Sequence, residues 1–137
     1  MADFALQIIT PDKIFFDGKT ERLIVRTTEG EIGILARHEN FVGALPSGAV
    51  KIMIDGNYRV AAISSGVVKV SPEKTTIIAE AIEWADEIDK DWAERSVEDA
   101  KKKLEDTKDE KEAKYAELKL QRALNRLKVR SGYSGDK

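Results

Sequence analysis

The 137-residue sequence contains no cysteine, which excludes a disulfide scaffold, thiolate metal ligation and a cysteine nucleophile together. That absence permits a reducing compartment. There is one histidine, His38, with no serine-nucleophile motif beside it, and a lone histidine is most often a structural or surface residue. No ligand spacing supplies a metal site. No run approaches the ~20 apolar residues that a bilayer-spanning helix needs. The opening stretch, MADFALQIITPDK, lacks the basic start and apolar run of a secretory signal. With neither a lipidation motif nor a basic amphipathic helix carrying large apolar anchors, membrane association is expected only through protein partners. The chain carries a net charge of −2, and its basic stretch has no interleaved aromatics, so nucleic acid is not an expected partner.

One phosphate-binding motif is incomplete. Gly18-Lys19-Thr20 looks like the end of a P-loop, but Lys13 stands where the motif requires glycine. Residues 21–25 read as a strand where the motif requires a helix. Asp17-Gly18 is expected to be an ordinary turn. No catalytic residue is assigned, no cofactor is required, and the chain is read as not an enzyme.

What is present falls into two periods. From residue 4 to about 82, short β-branched and aromatic runs alternate with glycine, proline and aspartate, the punctuation of an all-β domain. Phe4, Leu6 and Ile8 occupy alternate positions. Asp55-Gly56 supplies the positive φ values of a type I′ turn, so 51–54 and 58–61 should pair as a hairpin. Further strands are expected at 67–70 and 75–79, on either side of a turn at 71–74. The fold class is α+β: an N-terminal antiparallel β-sandwich of about ten short strands over residues 1–84, then a C-terminal two-helix antiparallel hairpin over 85–137.

In that second half Ala93, Val97, Ala100 and Leu104 recur at helical spacing, as do Ala113, Ala116, Leu120, Ala123 and Leu127. Residues 107–109 form the bend. Asp89 is the expected N-cap of the first helix, and Ser131-Gly132 the expected end of the second. Alanine buries little area, so at about 25 cal/mol per Å² the two helices should hold one another weakly, and the hairpin is expected to be detachable.

Charge is segregated. Glu80, Glu83, Asp86, Glu87, Asp89, Asp91 and Glu94 face the single base Lys90 across the junction, whereas residues 118–135 have no acid and carry Lys119, Arg122, Arg126, Lys128 and Arg130. Cations near a helix C-terminus complement its dipole, and charge runs usually form solvated faces. Arg122 and Arg126 also share a face that suits a phosphate, the acidic junction or an acidic partner.

Thr28-Glu29-Gly30-Glu31-Ile32-Gly33-Ile34, with His38, Leu45 and Gly48, resembles the signature segment of epsilon subunits of bacterial F-type ATP synthases. So do residues 64–70, 116–118 and 122–127, in the right order. The resemblance implies a central-stalk subunit at the cytoplasmic face of the cell membrane. Its sandwich would contact the gamma subunit and the c-ring, with Glu29, Gly30, Glu31, Gly33, Arg37 and His38 at the ring-facing end. Its hairpin would be regulatory, inhibiting hydrolysis when Lys119, Arg122, Arg126, Lys128 and Arg130 meet the alpha/beta catalytic hexamer. Ala36-Arg37 departs from the Pro-Gly type of turn in many relatives. Gly30 and Gly33 are equally read as letting the backbone turn tightly.

The resemblance also implies ATP as a possible regulatory ligand at Glu83, Ile88, Asp89, Trp92, Ala93, Arg122 and Arg126. Trp92 stands where an arginine would meet phosphate. Losing one charge-assisted donor costs about 1.5–3 kcal/mol, so weak ATP binding is expected, with Trp92 either anchoring the hairpin base or stacking on adenine.

Overall fold

The computed structural model describes residues 2–135. The chain divides between Trp84 and Ala85 into two compact units.

The first unit contains eight strands: β1 (Phe4–Ile9), β2 (Ile14–Thr20), β3 (Leu23–Thr27), β4 (Gly30–Ile34), β5 (Phe41–Leu45), β6 (Gly48–Ile54), β7 (Asn57–Val70) and β8 (Lys74–Trp84). Their order is β2-β1-β8-β7-β6-β3-β4, with β5 added on β7. Alternate residues turn inward, as strand geometry demands. Phe4, Leu6 and Ile8 on β1 meet Leu23 and Val25 on β3, Val50 and Ile52 on β6, Val68 on β7 and Ile77 on β8 in one buried cluster. The ring of Trp84 closes it, tilted 35° against Phe15 at 4.6 Å, with the Arg59 guanidinium 3.9 Å from its centre. The hairpin at Asp55-Gly56 forms as expected, its two φ angles being 50° and 82°.

Several expectations are corrected. There are eight strands among the described residues, not about ten, because runs that look separate in sequence fuse: the 14-residue β7 pairs first with β6 and then with β5. It bends where its register against β8 shifts on both sides of Ser65. A Cβ on Gly66 would lie 2.5 Å from the Ile78 carbonyl oxygen, so glycine allows the two backbones to close at this bulge. Nor is the pairing wholly antiparallel, since β1 runs parallel to β8. Asp17-Gly18 is no turn: both residues lie inside β2, opposite Gln7 and Leu6, and the chain bends only at Glu21, between β2 and β3. Pairing with β1 satisfies a backbone that local composition would have bent.

The second unit opens with a 3-10 turn, Ala85–Glu87, then α1 (Lys90–Asp106) and α2 (Glu110–Gly135). Asp89 caps α1 by accepting from the Trp92 amide at 3.0 Å, and Asp109 caps α2 through the Lys111 amide at 3.0 Å. Ala93, Val97 and Ala100 on α1 and Ala116, Ala123 and Val129 on α2 are buried. α2 does not end at Ser131-Gly132 but continues to Gly135. Gly132 is not left-handed, so it is accommodated as a helical residue at about 1 kcal/mol relative to alanine and does not act as a C-cap.

Candidate functional site

Three surfaces of the two units carry chemistry. On the outside of the sandwich, Ala44 lies opposite Val67, Val67 opposite Ile78, Ile78 opposite Ile9, and Ile9 opposite Ile14. Directly opposed residues point to one face, so these five side chains form an apolar row across β5, β7, β8, β1 and β2. Val67 is 43% exposed, Ile78 55% and Ile14 58%, while the next residue inward on β8, Ile77, is 0% exposed. Val42, also exposed, extends the row along β5. Sequence reading missed this surface. Its signal is the Ile77-Ile78 pair, because a strand must turn one of two adjacent residues outward.

The second surface is the β3–β4 turn. Thr27 Oγ1 donates to the Gly30 carbonyl at 2.8 Å and accepts from the Glu29 amide at 3.1 Å, and the Thr28 amide donates to the Ala44 carbonyl at 3.2 Å. These bonds fix the turn and leave Glu29, Gly30, Glu31 and Gly33 exposed. Gly30 has φ 125°, which requires glycine. Gly33 lies in regular strand opposite Ile24, and a Cβ there would meet nothing within 4 Å. The tight-turn reading therefore applies to Gly30 and not to Gly33.

Arg37 follows in a turn in which the His38 amide donates to the Leu35 carbonyl at 3.3 Å. Its φ is 65°, the left-handed conformation that glycine adopts freely, held here by an arginine whose amide donates to the Pro72 carbonyl at 3.2 Å. The His38 ring donates from Nδ1 to the Glu39 carbonyl at 2.8 Å. Because a carbonyl only accepts, Nδ1 carries the proton.

The third surface is a groove of ≈ 290 Å³ between the helices. Trp92, Ser96, Asp99 and Lys103 line it from α1, and Lys119, Arg122 and Arg126 from α2. Four cations against one carboxylate make it electropositive. The Arg126 guanidinium stands 5.3 Å from the centre of the half-exposed Trp92 ring. Of the residues considered for nucleotide, the structure brings Trp92, Arg122 and Arg126 together here. Asp89 is engaged as the helix cap, the side chains of Ile88 and Ala93 are buried, and Glu83 sits in β8 opposite Ala62. Lys103 was missed, though it stands three helical turns beyond Trp92.

Lys119, Arg122, Arg126, Lys128 and Arg130, expected as one basic face of α2, do not form a single face. Lys119, Arg122 and Arg126 share the groove. Lys128, exposed, falls about 200° around the helix from Arg126. Arg130 turns back to the junction, its Nη1 donating to the Ile88 carbonyl at 2.8 Å and lying 3.5 Å from the carbonyl oxygens of Ala85 and Asp86. No group of metal-ligating side chains occurs among the described residues, and none of their helices is long and apolar enough to cross a membrane.

Residues 3–85 match the family description ATP synthase, delta/epsilon chain, beta-sandwich domain, and residues 86–130 match its long alpha-helix domain. The ATP synthase epsilon chain of Ruminococcus albus is 47% identical over 130 residues, 94% of this chain and 97% of that one. That of Caldicellulosiruptor bescii is 40% identical over 129 residues, 94% of each. Among solved structures, a chain of the Euglena gracilis mitochondrial ATP synthase, in an OSCP/F1/c-ring assembly, superposes with a TM-score of 0.75 at 26% identity, over 88% of this chain and 76% of that chain. A chain of the Tetrahymena thermophila mitochondrial ATP synthase central stalk and c-ring shares the fold, with a TM-score of 0.63 at 18% identity over 93% and 96% of the two chains. With both halves matched in order along nearly its whole length, this chain belongs to the family of ATP synthase epsilon chains.

Proposed function

We propose that the chain is a non-catalytic rotor subunit of the ATP synthase central stalk, held at the cytoplasmic face of the bacterial membrane by its partners. There it couples ion flow to ATP synthesis and restrains hydrolysis through its helical hairpin. The observation that carries this reading is the apolar row across five strands. A sandwich with a complete core has no need of valine and isoleucine on its outer face, and covering each such side chain is worth up to about 1.5–3 kcal/mol. The gamma subunit is the proposed occupant of that row. The c-ring is assigned to the turn at Glu29, Gly30, Glu31 and Gly33 with Arg37 and His38, where exposed charge and uncovered strand backbone suit a polar contact. The alpha/beta hexamer is assigned to the cations of α2, to be met when the hairpin opens. Copurification with gamma is the test: a purified chain that neither binds gamma nor enters a reconstituted stalk overturns the proposal.

A second reading, ATP sensing by the hairpin, is favoured by the groove alone, where Lys103, Lys119, Arg122 and Arg126 converge beside an aromatic ring. Affinity should be weak, since no arginine occupies position 92. Titration with ATP and magnesium, followed by calorimetry and Trp92 fluorescence, tests it. The absence of a saturable response at millimolar ATP would remove ATP as a ligand.

A further inference from the structure

The apolar row on the outer face of the sandwich is bordered by charge of opposite sign on its two sides. Two residues along the strands from Val67, Ile78 and Ile9 stand Lys69, Thr76 and Gln7, directly opposed to one another, with Asp17 opposite Gln7. The following row holds Lys74, Ala5 and Lys19, with Ala5 opposite both lysines. Residues two apart in a strand share a face. Lys19, Lys69 and Lys74, all exposed, therefore flank the apolar row within roughly 7–14 Å, at about 3.4 Å per residue. Asp17 is the one carboxylate in these two rows.

On the other side of the row the charge is acidic. β8 carries the exposed Glu80 and then Glu83, which stands between the buried Ile82 and Trp84 and so faces outward past the bulge. The Glu80 carboxylate accepts from Ser65 Oγ at 2.6 Å. An apolar centre with a charged rim has the anatomy of a protein interface, and the split signs give this one a direction. The hydrophobic effect is non-directional, so an apolar row alone accepts a partner in two orientations related by a half-turn. Flanks of opposite charge distinguish the two, because the wrong one brings like charges together.

We propose that Lys19, Lys69 and Lys74 steer and orient the subunit that covers the apolar row, and that its covering surface is an apolar ridge with carboxylates along the side that meets these lysines. This rests on the proposed assignment of the row to gamma and adds the chemistry by which gamma is recognised and turned the right way round. The apolar side chains hold the partner once it is seated, whereas the lysines act before contact. The two sets therefore divide between dissociation and association.

The experiment measures association and dissociation rates of the full chain with a gamma-containing complex of the same synthase that lacks this chain. Lys19→Glu, Lys69→Glu and Lys74→Glu together should slow association about tenfold or more at low salt. The loss should shrink to about twofold or less at roughly 0.5 M NaCl, where exposed charges are screened. Ile78→Ala should instead speed dissociation and leave association within about twofold. Lys101→Glu, Lys108→Glu and Lys111→Glu together, at exposed positions of the hairpin and its bend, change the net charge equally and should slow association far less. A cooperative thermal transition in each variant confirms that it is folded. Three results overturn the steering role: the first variant associating as fast as the parent, the hairpin variant slowed equally, or a loss undiminished at high salt. A parent chain that does not bind gamma overturns the rotor assignment itself, so the two failures are distinct.

Discussion

The guanidinium of Arg126 and the indole of Trp92 lie 5.3 Å apart across the two helices of the hairpin. A cation that shares its groove with Arg122 and Lys119 thus packs against an aromatic face of the protein itself, a contact worth about 0.5–1 kcal/mol at an exposed site. The hairpin therefore has an internal substitute for part of what an anionic ligand would supply.

Replacing Trp92 by arginine removes that stack and adds a fifth cation to the groove. The expected outcome is a hairpin less protected from hydrogen exchange in the absence of anions, with ATP affinity raised about tenfold by the added charge-assisted donor. Calorimetry of both chains with ATP and magnesium measures the difference. Equal affinities would mean that phosphate does not reach position 92.

Arg37 holds a left-handed backbone at φ 65°, which costs a side-chain-bearing residue about 1–2 kcal/mol. Arg37→Gly should stabilise the sandwich by about 0.5–1 kcal/mol, part of the relief being offset by the added freedom of glycine in the unfolded chain. The midpoint of urea unfolding should rise with the slope unchanged.

The two glycines of β4 should respond oppositely. Gly30→Ala forces φ 125° on a residue with a Cβ and should destabilise by about 1–2 kcal/mol. Gly33→Ala meets open space, so stability should change by less than about 0.5 kcal/mol. If the ring approaches β4 closely, Gly33→Ala nevertheless weakens assembly. Unfolding curves paired with stalk reconstitution separate the two effects.

Adjacent isoleucines of β8 divide core from contact surface. Ile77→Ala empties a fully buried site and should cost about 2–5 kcal/mol. Ile78→Asp, at a half-exposed site, should leave the fold within about 1 kcal/mol while abolishing copurification with gamma. An Ile78→Asp chain that still binds gamma normally would move the contact off the apolar row.

The sandwich core is drawn entirely from residues 4–84. A chain cut after Asp86 should therefore retain its β circular dichroism, a cooperative thermal transition and gamma binding. Loss of that transition would show that the sandwich depends on the hairpin.

Legibility from sequence followed the distance over which a feature is decided. The Asp55-Gly56 turn, the Asp89 cap and the helical stripes at Ala93, Val97, Ala100 and at Ala116, Ala123 all rest on residues within one or two turns of each other. Those signals survive without any knowledge of the partner strand. The groove was legible only in part: of the residues that the resemblance implied for nucleotide, Trp92, Arg122 and Arg126 line it and Glu83, Ile88, Asp89 and Ala93 do not, while Lys103 joins it from a later turn of α1.

The sequence by itself determined that this is a two-part chain, an all-β half followed by two alanine-seamed helices, because side-chain periodicity and turn chemistry are local properties of the covalent chain. Only the tertiary structure decided the parallel pairing of β1 with β8, between residues about 70 positions apart, and the fusion of two runs into the bent β7. It also decided that Asp17 and Gly18 lie in a strand, that Ile78 faces outward, and that Arg130 reaches Ile88. Each depends on which distant backbone offers hydrogen-bonding partners, and β pairing and long side-chain bonds are chosen by the whole fold through contacts that local spacing does not encode.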